Sequence, residues 1–353
     1  MVVFNAKICT LNGVVKNMPT VLVTGSAGFI GFHVSKALLD DGWRVVGLDC
    51  LTDYYDVSLK EAREQVLLKH SAYKSIRARL ESQTTLLELF QSEAPEVVIH
   101  LAAQAGVRYS IDNPRAFVES NVLGTLELLE AARAHPPKHL LIASSSSVYG
   151  AEREMPYREQ VKADHQLSMY AATKKSTESL SHAYAHLFDL PTTVFRFFTV
   201  YGPWGRPDMA PFKFVKAVLE GNPIDVYNYG DMKRDFTNVD DLVKALIMLI
   251  DVAPSNEDHK PVNASDTLSP AAPYRLVNIG NNSPVDLSAF IAAIEQATGK
   301  TAVRNLMPIQ PGDVPATWAD SSLLKELTGY TPQTSIQDGV ARFVDWYREF
   351  YQV

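Results

Sequence analysis

Apolar residues recur along this chain in two alternating registers. Short apolar runs at Val21–Thr24, Arg44–Asp49, Val97–Ala103, Leu140–Ala143 and Thr193–Phe198 read as strands, with the β-branched Val97–Ala103 buried on both faces and Leu140–Ala143 another buried strand. Between them the apolar spacing changes to three and four, over Phe29–Asp40, Val57–His70, Pro114–Arg133 and Ser168–Leu187, which predicts amphipathic helices. Alternation of this kind implies βαβ units. The fold class it predicts is α/β, a doubly wound parallel sheet with helices on both faces.

The texture changes after Val200. Tyr201–Pro211 holds two glycines and three prolines and reads as an ordered loop. Val239–Leu249 is helical. Val252–Pro273, rich in Pro, Ser, Asn and Asp, reads as a flexible surface loop. A strand at Arg275–Ile279 and helices at Leu287–Thr298, Ser321–Leu327 and Ile336–Phe350 follow. The division expected is a larger domain from residues 18–200 with 235–252, and a smaller α/β domain from 201–234 with 274–353. A loop at 253–273 would lie between them. Residues 1–17 lack the long apolar core of a signal peptide and read as a disordered extension.

Composition narrows the possible functions. Of 353 residues, 46 % are hydrophobic and 21 % charged, as in ordinary globular proteins. A net charge of −7 makes nucleic acid a poor partner. Two cysteines, Cys9 and Cys50, form neither a disulfide scaffold nor a metal-ligand spacing, so a reducing, cytoplasmic setting and no metal are expected. No apolar run approaches the roughly 20 residues that cross a bilayer, so no membrane partner is expected.

Thr24-Gly25-Ser26-Ala27-Gly28-Phe29-Ile30-Gly31 joins the first strand to the first helix. Three glycines there permit a tight turn, close backbone approach to a diphosphate, and tight helix–strand packing. The helix start then offers free N–H groups to phosphate. Gly25, Gly28, Phe29, Ile30 and Gly31 are therefore candidate cofactor contacts. Asp49 ends the next strand, where a carboxylate accepts from both adenosine ribose hydroxyls and repels a 2′-phosphate. NAD is favoured over NADP.

A second constellation lies further on. Tyr170 and Lys174 are four apart on one helix and share a face. Ser144–Ser147 ends the strand before that helix. A phenol beside an ammonium has a lowered pKa and serves as a base at neutral pH. A serine hydroxyl opposite can hold the same substrate oxygen, so the group suits proton movement on an alcohol during hydride transfer to nicotinamide.

With these motifs the chain resembles the extended short-chain dehydrogenase/reductase (NAD-dependent epimerase/dehydratase) family, and within it the UDP-glucuronate 4-epimerases. The resemblance runs from about Pro19 to the C-terminus. It rests also on Asp53-Tyr54-Tyr55-Asp56-Val57, His100–Arg108, the tetraserine stretch, Arg196–Met209, Asp231–Phe236 and Gln310–Asp313. It implies a Rossmann-like NAD domain and a smaller C-terminal UDP-sugar domain. NAD would be tightly bound and not consumed. Ser145 would be the catalytic hydroxyl, Tyr170 the base, and Lys174 the residue that lowers the tyrosine pKa and holds the nicotinamide ribose. Leu80, Leu101, Ala102, Ala103 and Asn121 would complete the NAD site. A homodimer through a four-helix bundle is also implied.

Related enzymes oxidise the sugar 4-hydroxyl to a ketone and then diverge. Dehydratases carry Asp-Glu before the Val-Tyr-Gly, and decarboxylases usually a Glu; here Ser146 and Ser147 stand there. Without that acid the simple remaining path is 4-epimerisation. A 4-keto glucuronate is a β-keto acid that loses carbon dioxide readily. Ser146, Ser147 and Thr199 could pin its carboxylate, although Ser147 could equally cap the strand end. Arg206 and Arg234 are candidates for the diphosphate. Arg108 is either a substrate contact or a surface ion-pair residue, and Asp313 would bind the uridine ribose. Arg79 stands where relatives carry an acid facing adenine, which suggests looser adenine contacts or contacts through backbone alone; equally, it reads as an exposed strand-end arginine with no ligand role. The alternatives are a UDP-glucose/UDP-galactose or N-acetylhexosamine epimerase, and a non-catalytic nucleotide-binding member.

Overall fold

Parallel strands form the body of the protein in the computed structural model, which describes residues 18–257, 260–310 and 312–353. Residues 1–17, read as an extension, lie outside the described residues. In chain order the first elements are β1 (Thr20–Thr24), α1 (Phe29–Asp40), β2 (Arg44–Asp49), α2 (Val57–Leu67), β3 (Tyr73–Arg77), α3 (Gln83–Glu93) and β4 (Val97–His100). Then come α4 (Tyr109–Asp112), α5 (Pro114–Phe117), a π turn at Val118–Leu123, α6 (Gly124–Ala134), β5 (His139–Ala143), α7 (Met169–Phe188) and β6 (Thr192–Phe197). The later part holds β7 (Thr199–Tyr201), α8 (Ala210–Glu220), β8 (Ile224–Val226), β9 (Lys233–Asn238), α9 (Val239–Ile250) and β10 (Tyr274–Ile279). The chain ends with β11 (Pro284–Asp286), α10 (Leu287–Thr298), β12 (Arg304–Leu306), β13 (Ala316–Thr317), α11 (Ser322–Thr328) and α12 (Ile336–Tyr351).

Seven strands pair in the order β10-β6-β5-β4-β1-β2-β3, each neighbouring pair parallel. The order reverses between β1 and β4, where such sheets open a crevice at the carboxyl ends of their strands. Alternate residues feed two cores. Val21, Val23, Val45, Ile99 and Phe195 meet α1, α9 and α11 on one face. Leu22, Val46, Val98, Leu140 and Val194 meet α3, α6 and α7 on the other. Burial on both faces is what makes these strands read as continuous apolar runs.

The smaller domain is built around β9, which pairs with β7, β11 and β13. Phe236 of β9 stacks on Phe290 of α10 at 4.2 Å, and Phe212, Phe343 and Tyr347 bring α8 and α12 onto them.

One expectation needs correction. The strand at 274–279 is not part of the smaller domain: all six residues of β10 are buried, and it extends the large sheet beside β6. The later helix α11 also packs on that sheet, through Leu323 and Leu324. The helix expected over Pro114–Arg133 is continuous to Ala134 and contains a π stretch at Val118–Leu123, where the Asn121 carbonyl accepts from Thr125 Oγ1 (2.6 Å) and Thr177 Oγ1 (3.2 Å). Segment 253–273 holds no helix or strand among its described residues, yet Asp266 is buried in a forked pair with Arg275 of β10 (2.9 and 3.2 Å). No described helix is long and apolar enough to cross a membrane.

Candidate active site

The turn after β1 is folded so tightly that only glycine fits it. Gly25 has φ +74°, and a Cβ there would lie 2.8 Å from the Ala102 nitrogen. A Cβ on Gly31 would lie 2.0 Å from the Gly25 carbonyl oxygen. The Gly25 N–H donates to the Leu48 carbonyl (2.7 Å), which ties the turn to β2. Gly28 caps α1 without any side-chain acceptor, so the first N–H groups of α1 are available to an anion. Asp49 accepts from the backbone N–H groups of Ala27 (3.0 Å) and Leu51 (2.8 Å). These bonds aim its carboxylate along the cleft and leave lone pairs on both oxygens.

A cleft opens over this turn. Its walls include the expected Gly25, Gly28, Phe29, Ile30, Gly31, Asp49, Leu80, Leu101, Ala102 and Ala103, and further along Tyr170, Lys174 and Arg206. The cradle and the ribose-type carboxylate fit a dinucleotide. For Arg79 the structure supports the surface reading: it is exposed, pairs with Glu81 at 3.2 Å, and is absent from the walls, whereas Glu81 lines them. A carboxylate therefore does reach that end, two residues later than expected.

Tyr170 and Lys174 sit in the first turns of α7, whose start is capped by Ser168 Oγ accepting from Ala171 N (3.1 Å). Lys174 is 4 % exposed and its ammonium donates to the Ala143 carbonyl at the end of β5 (2.8 Å). Burial brings its pKa down to about 8, against the pull of Glu178. Tyr170 is also buried, which raises its phenol, while a hydrogen bond with Ser145 and the charge of Arg206 pull the other way. Lys174 was expected to lower the tyrosine pKa. In the structure its ammonium lies on the Ala143 carbonyl, and Ser145 and Arg206 are the groups that oppose the effect of burial on the phenol. Ser145 Oγ also accepts from Ser147 N (3.2 Å) and so caps the 3₁₀ turn Ser146–Tyr149.

Asn121 does not face the cleft. Buried in the π turn, it accepts from Gln104 N (2.8 Å) and donates to Gln104 O (3.0 Å) and Thr173 Oγ1 (3.0 Å). It braces the wall that carries Gln104 against α7. Ser146, Ser147 and Thr199 are half-buried, the serines in the 3₁₀ turn and Thr199 at the start of β7. Arg206 is held edge-on by Asp208 (3.0 and 2.5 Å), which in turn accepts from the Tyr54 hydroxyl (3.1 Å). Arg108 and Asp313 come together at 3.2 Å, with the guanidinium 4.4 Å over the Tyr227 ring. Arg234 donates to the carbonyls of Val314 (2.8 Å) and Pro315 (3.0 Å), next to Asp313. Part of its donor fork is thus spent on backbone.

Several wall residues carried no assigned role in the sequence. Tyr54, Tyr55, Lys60, Gln104 and Phe197 line the cleft. Behind them Arg63 is fully buried and donates to Ala27 O, Tyr55 Oη, Trp204 O and Gly205 O (2.7–3.3 Å). The available signal was the Tyr-Tyr pair and the i, i+3 spacing of Lys60 and Arg63 on α2, a helix whose charge suggested a solvated face. Among the described residues, no group of three or more His, Cys, Asp and Glu side chains is placed to hold a metal.

Residues 21–264 match the sequence profile of the NAD dependent epimerase/dehydratase family. A probable UDP-glucuronate 4-epimerase of Rhizobium meliloti (strain 1021) is 53 % identical over 332 residues, covering 94 % of this chain and 97 % of that protein. UDP-glucuronate 4-epimerase 2 of Arabidopsis thaliana is 42 % identical over 353 residues, 99 % of this chain and 79 % of its own length. The crystal structure of UDP-glucuronic acid 4-epimerase from Bacillus cereus, in complex with UDP-glucuronic acid and NAD, superposes with a TM-score of 0.84. It is 34 % identical, and the match covers 94 % of this chain and 100 % of that one.

Proposed function

The chain belongs to the NAD dependent epimerase/dehydratase family, and from that premise we propose that it is an isomerase interconverting UDP-glucuronate and UDP-galacturonate at C4 of the sugar. One observation carries the choice of reaction within the family. The cleft walls contain two carboxylates, Asp49 and Glu81, both at the β2–β3 end, and none among the described residues beside Tyr170. Elimination needs an acid or base placed at the sugar, and Ser146 and Ser147 stand where it would be.

The glycine cradle, the start of α1 and Asp49 would hold the NAD diphosphate and adenosine ribose, and Lys174 the nicotinamide ribose. NAD when bound supplies a hydride acceptor and donor, so C4 inverts with no net oxidation and the cofactor stays with the protein. Tyr170 accepts the proton of the C4 hydroxyl as that carbon becomes a ketone, and gives it back when the ketone is reduced on its other face. Ser145 donates to the same oxygen and fixes its distance from the phenol. Ser146, Ser147 and Thr199 hold the sugar carboxylate, so that its bond to C5 does not align with the ketone. Arg206, Arg234 and Arg108 take the anionic groups of the substrate, and Asp313 the uridine ribose.

Two copies pair through α5–α6 and α7 as a four-helix bundle. Support comes from exposed apolar side chains on those segments, Val118 and Leu123 on one and Met169 and Leu187 on the other. The enzyme works in the cytoplasm, on a soluble sugar nucleotide.

Proton NMR of the purified protein with UDP-glucuronate and no added NAD tests the reading. UDP-galacturonate should appear without carbon dioxide. An unchanged substrate, with NAD added, sinks the assignment and directs the assay to neutral UDP-sugars.

A further inference from the structure

We propose that Glu178 is a positioning residue for this epimerisation: from behind the Tyr170–Lys174 pair it fixes the end of β5 through Ser144 and sets the field around the Lys174 ammonium. The inference rests on the epimerase reading above. Tyr170, Lys174 and Glu178 are spaced four apart on α7 and so form one stripe. The first two line the cleft; Glu178 lies below them, 4 % exposed.

Its carboxylate is saturated with donors. Oε1 accepts from Ser144 Oγ (2.6 Å) and Arg196 Nε (2.7 Å), and Oε2 from Arg196 Nη2 (2.7 Å) and Lys175 Nζ (3.4 Å). Ser144 lies between Ala143, whose carbonyl holds Lys174, and Ser145, which bonds Tyr170. Arg196, 1 % exposed on β6, lies 4.6 Å over the ring of Tyr149, the last residue of the turn that Ser145 starts. Tyr149 in turn donates to Asn278 of β10 (2.8 Å). One carboxylate thus connects α7, β5, β6 and the serine turn, the four pieces that must keep register for Ser145, Tyr170 and Lys174 to meet.

Burying this ion pair is costly, and an apolar pair of similar shape would hold the elements together at least as well. What an apolar pair cannot supply is charge. Around Lys174 stand Tyr170 and Glu178 on α7, His100 on β4 and the Ala143 carbonyl that ends β5, with Ser144 and Arg196 of β6 behind them on the Glu178 carboxylate. His100 is fully buried, held near pKa 3, and neutral. Arg196 is positive. Glu178 is the carboxylate of the set, and it opposes the burial that drives Lys174 toward its neutral form.

The test compares holoenzyme preparations of wild type, Glu178→Gln and the double variant Glu178→Gln/Arg196→Met. Two quantities are read: the pH dependence of kcat for UDP-glucuronate, and the titration of Lys174 by NMR of ¹³Cε-lysine protein, assigned through Lys174→Met. In Glu178→Gln the alkaline limb of kcat and the Lys174 titration should both move down by about one pH unit or more, with KM changed less than twofold. The double variant should shift in the same direction but less, since the guanidinium is gone too. It also carries the test if the single variant, left with an uncompensated buried arginine, fails to fold. Lower kcat or thermal stability with both titrations unmoved would overturn the proposal and leave Glu178 a structural residue. Wild-type protein that leaves UDP-glucuronate untouched would sink the epimerase reading instead, and the Lys174 titration would still judge Glu178.

Discussion

Replacing Tyr170 by Phe removes one oxygen from the protein and should remove most of the reaction. The ring is buried and packs edge-on against Phe117 at 6.0 Å, so its packing survives the change. Ser145, the partner of the phenol, keeps its bond from Ser147 N. The lost hydrogen bond is therefore worth about 1 kcal/mol of stability, and the melting temperature should hardly move. Catalysis differs, because general acid–base transfer contributes about 10²- to 10⁴-fold, or roughly 3 to 5.5 kcal/mol of barrier. The sign of the pH effect follows from burial. Burial raises the Tyr170 phenol, the working base is the phenolate, and so wild-type turnover should climb with pH until loss of the Lys174 proton, near pH 8, limits it. The variant should lose this climb. Turnover is followed by NMR of the sugar anomeric protons, and retained NAD by absorbance of the purified protein. Near-normal turnover with the climb intact would remove Tyr170 from the mechanism. Loss of NAD and stability together with activity would show that the hydroxyl serves the fold.

Thr199→Ala or Ser146→Ala should raise carbon dioxide release relative to galacturonate product; an unchanged ratio would end the idea that these hydroxyls pin the carboxylate. Glu159 offers a pH test of stability away from the sugar: buried against the Asn278 backbone N–H (2.8 Å), it is held up to about 7, against 4.5 when unfolded. Its native state therefore loses stability as pH rises from 4.5 through 7, by about 3 kcal/mol at 1.4 kcal/mol per pH unit, so Glu159→Gln should raise the urea midpoint at pH 8 and not at pH 4.5. An equal change at both values would count against the buried carboxyl. Arg63→Met leaves the carbonyls of Ala27, Trp204 and Gly205 without their donor and should cost about 3 kcal/mol or more, with NAD lost on gel filtration; full retention of NAD would free Arg63 from any part in the cradle.

The parallel sheet was legible because both of its faces are buried. Strands such as Val97–His100 and His139–Ala143 have no polar face to confuse the pattern, and the predicted bounds of α1, β2 and α10 coincide with those observed. The elements around β9 were not legible for the opposite reason. β8, β11 and β13 have three residues or fewer, too short for any period to develop. α8 has a strong apolar stripe, but it follows a loop dense in glycine and proline that hid its start. β10 was seen as a strand and assigned to the wrong sheet, since its pairing with β6 bridges some 80 residues of chain that carry no mark of it.

The site divides along a similar line. Residues whose chemistry needs a side chain or a missing side chain at a strand end, such as Gly25, Asp49, Tyr170 and Lys174, announce themselves by type and spacing. The residues that hold those groups in place do not, because they are charged and buried. Lys60, Arg63 and Glu64 all face inward from α2, where a charged helix in sequence suggests solvent. Arg63 joins the cradle to the loop at Trp204, Arg196 joins α7 to the serine turn, and Arg206 is seated by Asp208 beneath Tyr54. Each guanidinium carries more donors than one element can satisfy, so its burial is tolerable only when several loops are in place together. That requirement makes buried arginine a device for fixing loops at the ends of strands. A catalytic cleft assembled from separate loops needs such a device more than it needs further apolar packing.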